Sequence, residues 1–267
     1  MSRLAGAPYI VWAALFIIVP LCMVAYYAFT DNTGAFTIQN ITGLVKYTDT
    51  FLLSIWLGLV ATVLCLVIAY PLAYIMAQKG PEKQSTMTML IMLPMWMNFL
   101  LRTYSWMTIL EDTGLINTVI TSLGFEPLQL INTRGAVVLG MVYNFLPYMI
   151  LPIYTVMLKT DRSLIEAAQD LGGNKLDVFR NVTIPLSVPG IVSGFTMVFV
   201  PSVSTFYISQ KLGGTGTILI GDIIETQFQT ANNFNLGASL SFVLMILIFI
   251  CLAVMNRFSD DDGGVIL

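Results

Sequence analysis

Six stretches of this chain are long and apolar enough to cross a lipid bilayer, and this narrows the possible folds more than any single motif does. A hydrocarbon core about 30 Å thick takes roughly 20 apolar residues as a helix. The stretches run approximately from Tyr9 to Phe29, Leu52 to Ala77, Thr86 to Leu110, Gly135 to Leu158, Leu186 to Ser209 and Leu236 to Met255. Lipid offers no water to backbone N–H and C=O groups, so segments of this length are expected to fold as helices that satisfy themselves. Composition agrees, since 57% hydrophobic and only 10% charged residues cannot coat a water-soluble globule, where about a quarter of residues are charged. The expected fold class is all-α: a polytopic membrane protein with about six transmembrane helices, forming one domain over residues 1–267. The first stretch follows Arg3 but exceeds a signal-peptide core and lacks a small-x-small cleavage site, so it is expected to remain as a span.

Charge placement orients the spans. Arg3, Lys79, Lys83, Lys159, Arg162, Lys175, Arg180 and Arg257 fall on one side and Lys46, Arg134 and Lys211 on the other. The positive-inside rule then puts both termini in the cytoplasm. The acidic tail Asp260–Asp262 contributes little to that rule. Segments 31–51, 111–134 and 210–235 lie outside, and 159–185 lies inside.

Composition also excludes chemistry. No histidine is present, which removes Ser-His-Asp and Cys-His nucleophiles and His-ligated zinc. Cys22, Cys65 and Cys251 each sit in an apolar run without paired spacing, so neither disulfides nor a thiolate metal site is indicated. A net charge of -3 gives no basic footprint for nucleic acid. Five of the six spans contain proline: Pro20, Pro71, Pro94, Pro147 with Pro152, and Pro189 with Pro201. Proline removes a backbone donor, so such helices survive in lipid only where neighbours or water satisfy the freed carbonyls. Kinked helices around a pathway fit this pattern, and so do kinks without a mechanical role.

The inner segment from Lys159 to Pro185 has the punctuation of two short helices. Ser163 with Glu166 reads as a capping box and Gly172-Gly173 as a left-handed stop, giving a helix over about Leu164 to Leu171. Asn174 with Asp177 opens a second helix expected to end before Pro185. Ala167 and Ala168 allow close approach of another protein surface. Locally, Glu166 could equally serve only its own helix terminus.

Glu166-Ala167-Ala168, Gly172, Phe179, Val182 and Ile184-Pro185-Leu186 together resemble the EAA loop of permease subunits of binding-protein-dependent ABC importers, with Ile184 where the family has leucine. The resemblance implies the type I ABC importer permease fold and a coupling helix that docks on a separate ATPase. It assigns Glu166, Ala167, Ala168 and Gly172 to docking, and Phe179 and Pro185 to holding the segment against the fifth span. Further words, Leu93-Pro94-Met95-Trp96-Met97-Asn98 through Trp106, Asn144-Phe145-Leu146-Pro147-Tyr148, Lys211-Leu212-Gly213-Gly214 and Leu219-Ile220-Gly221-Asp222, look like those of spermidine/putrescine permeases.

A polyamine needs carboxylates and aromatic faces along its route. The outer segments carry Asp31, Asp49, Glu111, Asp112, Glu126, Asp222 and Glu225 against three bases, so the outer mouth is net negative, although solvated loops account for the same charges. Candidate pathway or outer-gate residues are Tyr104, Trp106, Glu111, Asp112, Tyr143, Asn144, Tyr207, Asp222 and Glu225. Asn98, Ser202, Ser204 and Thr205 are further polar candidates, for which helix-to-helix hydrogen bonding is an equal reading. Arg102 lies inside a span and is expected to be structural, pairing with Glu111, Asp112 or a backbone carbonyl.

The resemblance implies an inner-membrane subunit, non-catalytic and binding no cofactor itself, working with a second similar permease, a cytoplasmic ATPase pair that holds ATP and magnesium, and an extracytoplasmic polyamine-binding protein. The chain contains no Gly-x-x-x-x-Gly-Lys-Ser/Thr phosphate loop. Two rival readings stay open: the same machine with another cargo (an amino acid derivative, an oxyanion or chelated iron), and an ATP-independent channel or secondary transporter.

Overall fold

A computed structural model of the chain describes residues 7–31 and 33–262. All six apolar runs are helical, and five lie in helices long and apolar enough to span a membrane. In chain order, α1 is Val11–Ala28, α2 is Thr48–Ala77, α3 is Pro81–Trp96, α4 is Phe99–Leu110 and α5 is Leu115–Ser122. Then come α6, Arg134–Lys159, α7, Arg162–Asp170, α8, Lys175–Val178, α9, Ile184–Ser204, α10, Ile220–Gln229, and α11, Phe234–Asp262. Arg3, used in the charge count, lies outside the described residues.

The third run is not the single helix expected from Thr86 to Leu110. It is α3 followed by α4, with Met97 and Asn98 extended between them at ψ of 146° and 130°. Pro94 weakens the ladder just upstream, and Asn98 offers a new start by accepting from Leu100 N at 2.8 Å. The fifth span stops at Ser204 rather than Ser209, because Thr205 is extended at ψ 145°. At its other end the expectation of a stop before Pro185 also fails. A π turn at Phe179–Thr183 carries α8 directly into α9, so residues 175–204 form one helical rod. A second π turn, Ala14–Ile18, precedes Pro20 in the same way. Proline clashes with the carbonyl four residues back, and a wider turn just upstream lets the helix continue through it.

The core is the packing of α2, α6 and α9. Along α2, Gly58, Ala61, Cys65, Ala69 and Ala73 form a stripe of small residues at helical spacing, and the last four are fully buried. Between membrane helices no hydrophobic drive operates, so association depends on close backbone approach and dispersion, which small side chains permit. A Cβ added at Gly58 would stand 2.8 Å from Val203, and one at Gly190 would stand 3.0 Å from both Ile153 Cα and the Pro152 carbonyl oxygen. The first and last spans pair with each other: α1 lies along α11, where Asn235 Nδ2 donates to the carbonyl of Tyr27 at 3.2 Å and Ser239 Oγ to that of Ala28 at 3.2 Å.

Gly190→Val should therefore overpack the α6–α9 contact, a class of change costing about 1–3 kcal/mol, and lower the unfolding temperature of the purified protein. Gly43→Ala, with nothing within 4 Å of the added carbon, should leave it unchanged. Equal effects at the two positions would contradict the close approach.

Candidate functional site

The segment 160–183 caps one end of the bundle, and its helices are set by local chemistry. Helix α7 begins two residues earlier than the Ser163–Glu166 pattern suggests, because Asp161 Oδ1 accepts from Ser163 N at 2.9 Å and takes the cap position. These bonds from Ser163 hold the Asp161 carboxyl below the usual carboxylate range. The helix ends as expected: Gly173 N donates to Ala168 O at 3.1 Å and Gly172 N to Gln169 O at 2.9 Å, with Gly172 at φ +86°. This is the Schellman arrangement, which needs a left-handed residue that only glycine adopts without strain. Asn174 and Asp177 form the expected reciprocal cap on α8.

The Glu166 carboxylate is exposed and lines a cavity of about 700 Å³ with Gln169, Gln78, Gln84 and Tyr74. Ala167 is exposed and Ala168 partly so. Three leucines face outward around them: Leu164 is 48% exposed, Leu171 90% and Leu176 72%. A short amphipathic helix with small residues and outward leucines has the form that a groove on another protein accepts. Phe179 is expected to hold the segment against the fifth span, but its side chain packs on the second. Its ring meets those of Tyr70 and Tyr74 edge-on at 5.7 and 5.6 Å, wedging the segment onto α2. Tyr70 Oη and Ser187 Oγ share a 2.9 Å hydrogen bond that ties α2 to α9 beside it. Pro185 is exposed in the first turn of α9.

At the opposite end, the segment 207–213 folds back onto α6, where Gly140 leaves room for Leu212 and Ile208. This carries Tyr207 to α4. The Tyr104 and Tyr207 rings meet edge-on at 6.1 Å, and Phe99 stands 6.0 Å from Tyr207. Lys211 Nζ lies 5.3 Å from the Tyr104 centroid and 5.8 Å from that of Tyr207. Trp106 pairs instead with Tyr143 at 5.4 Å. Glu225 accepts from Gln210 Nε2 at 3.1 Å. Glu111 terminates α4, where its backbone oxygen accepts from Gly114 N, and Asp112 is exposed.

Asp222 is buried, with Oδ2 accepting from Leu219 N at 2.7 Å and Oδ1 from Ser209 Oγ at 2.9 Å. It starts α10 and closes the 209–222 turn, a structural task. Burial pushes its carboxyl up to about 6, more than the two hydrogen bonds pull it down. Arg102 is buried as expected but is not paired as expected. Its Nε and Nη1 have no hydrogen-bond partner among the described residues, and Glu111 lies nine residues along, about 13 Å at helical rise. Asn144 donates to Gly140 O at 2.9 Å, while its Oδ1 and Ser202 Oγ have no partner among the described residues. Ser204 and Thr205 are absorbed by the end of α9, Ser204 Oγ bonding Val200 O at 3.0 Å.

Residues 69–260 match the profile of the binding-protein-dependent transport system inner membrane component family. The chain belongs to that family. This permease is 34% identical over 256 residues to the spermidine/putrescine transport system permease protein PotB of Haemophilus influenzae, covering 92% of this chain and 90% of that one. It is 35% identical over 258 residues to PotB of Escherichia coli, covering 93% and 94%. Its fold matches a chain of a bacterial ABC transporter for the acidic polysaccharide alginate, with a TM-score of 0.76 at 15% identity over 95% of this chain and 93% of that one.

Two features of the permease escaped the sequence reading although their signals were present. Tyr207 and Lys211 are four apart and face one way, and Tyr70 and Tyr74 likewise, a spacing at which helical side chains meet. The Asp222 carboxyl titrates higher in the fold than its ordinary value near 4, so folding favours its protonated form. Its contribution is present below about pH 4 and lost as pH rises to about 6. Thermal stability should fall across that window, and Asp222→Asn should flatten the fall. A pH profile identical in the two proteins would contradict the burial of this carboxyl.

Proposed function

We propose that this permease is a transmembrane subunit of an ATP-driven polyamine importer in a bacterial inner membrane, with both termini in the cytoplasm. Similarity over more than nine-tenths of its length to two proteins named for spermidine and putrescine transport carries this reading. The exposed helix α7 and its outward leucines support a partner on the cytoplasmic side. That partner is an ATPase dimer, which binds ATP and magnesium and does the hydrolysis. A second, similar permease completes the pathway, and an extracytoplasmic binding protein delivers the cargo. Nucleotide-driven closure pushes on Glu166, Ala167, Ala168 and Gly172, and the rod of residues 175–204 passes the displacement into the membrane. The aromatic pair at the other end, already holding an ammonium group, supports a cationic cargo.

The test is uptake of labelled spermidine and putrescine by cells lacking their own polyamine importers, supplied with this gene and its neighbouring transport genes. Saturable uptake is expected, abolished by deleting this gene or the ATPase and reduced at least tenfold by Glu166→Lys. Uptake that survives loss of the ATPase would overturn the ATP-driven reading. An assembled, active ATPase complex without polyamine uptake would overturn the cargo.

A further inference from the structure

Lys211 is the only lysine or arginine of the segment 205–233, and it does not point into solvent. Its ammonium sits over two tyrosine faces at 5.3 and 5.8 Å, half-buried, while Tyr104 remains 41% exposed. The two rings come from short helical pieces, α4 and residues 207–213, each separated from a long helix by extended residues: Met97 and Asn98 in one case, Thr205 in the other. Leu212 and Ile208, on the other side of the same turn, are fully buried against Gly140. The turn is therefore anchored without Lys211, and the lysine is free to leave the rings without unseating it.

A lysine side chain is a four-carbon stem ending in a primary ammonium, which is the chemical group at the end of a linear polyamine. Aromatic faces attract such a group through the ring quadrupole whether it is tethered or free. Building on the polyamine reading, we propose that Tyr104 and Tyr207 form a binding site for the terminal ammonium of the cargo, and that Lys211 is its tethered competitor. Cargo enters by displacing Lys211, and Lys211 returns to the rings when the cargo moves on. A site that is filled at rest binds its ligand more weakly, its apparent affinity being scaled down to the fraction of time it stands open. Weak holding suits a transport path, where a tightly bound cargo would not leave.

The test is calorimetric titration of spermidine into the purified, assembled transporter in nanodiscs, without the binding protein, alongside spermidine uptake by cells that carry the same variants together with the complete set of transport genes. Lys211→Met keeps the stem and removes the charge, and it should bind spermidine about three- to tenfold tighter, the range expected for loss of one cation–aromatic contact. Lys211→Arg retains a cation that stacks on the rings and should stay within about twofold of wild type. Adding Tyr207→Leu to Lys211→Met should abolish the gain. Lys211→Gln provides a second neutral variant, and ATPase activity confirms assembly of each. Unchanged or weaker binding in both neutral variants, with normal uptake by wild type, would overturn this inference alone. Absence of spermidine uptake by wild type would overturn the polyamine reading and the inference together.

Discussion

Close backbone contact among α2, α6 and α9 is the condition on which the rest of the molecule depends. In lipid, apolar side chains gain nothing by leaving hydrocarbon for another helix, so the bundle must be held by dispersion and by a few interhelical hydrogen bonds. The buried stripe of Ala61, Cys65, Ala69 and Ala73 lets α2 reach its neighbours, and Gly190 and Gly194 let α9 lie against the backbone of α6 at Ile153 and Met149. Long side chains at these places would separate the three helices and remove the frame on which both ends are built.

That frame makes the two ends mechanically different. At the end carrying α7, the loop is joined rigidly to the core. The π turn makes residues 175–204 continuous, Phe179 is wedged between Tyr70 and Tyr74, and Tyr70 bonds Ser187. A displacement of α7 has few places to be absorbed before it reaches α2 and α9. At the other end the pieces are short and interrupted. The break at Met97–Asn98 and the stop at Thr205 leave α4 and the turn 207–213 as separate units resting on α6. The proposed importer needs this combination of a stiff input and a jointed output.

The helices and their order were legible in the sequence because apolar length determines them in lipid. The stop at Gly172-Gly173 and the cap at Asn174–Asp177 were also legible, since each depends on residues adjacent in the chain. What escaped was decided by competition or by distance. Asp161 displaced Ser163 as the cap because its carboxylate accepts from Ser163 N itself, which draws Arg162 and Ser163 into the helix. The break in the third run required Asn98 to outcompete helix continuation after Pro94, a balance that composition does not reveal. Asp222 read as an outer-mouth acid because its burial depends on Ser209, thirteen residues away. Arg102 read as paired because a charge inside a span argues for a partner, yet its Nε and Nη1 have none among the described residues.

In the proposed importer, α7 is the surface through which an ATPase acts on this permease. A photo-reactive amino acid at Leu171, 90% exposed beside the Schellman turn, tests it in intact membranes, with the same probe at Leu123, 69% exposed at the opposite end, as reference. The account predicts a covalent adduct with the ATPase from position 171 and none from position 123. An adduct from position 123, or none from position 171 in an assembled and ATP-hydrolysing complex, would contradict it.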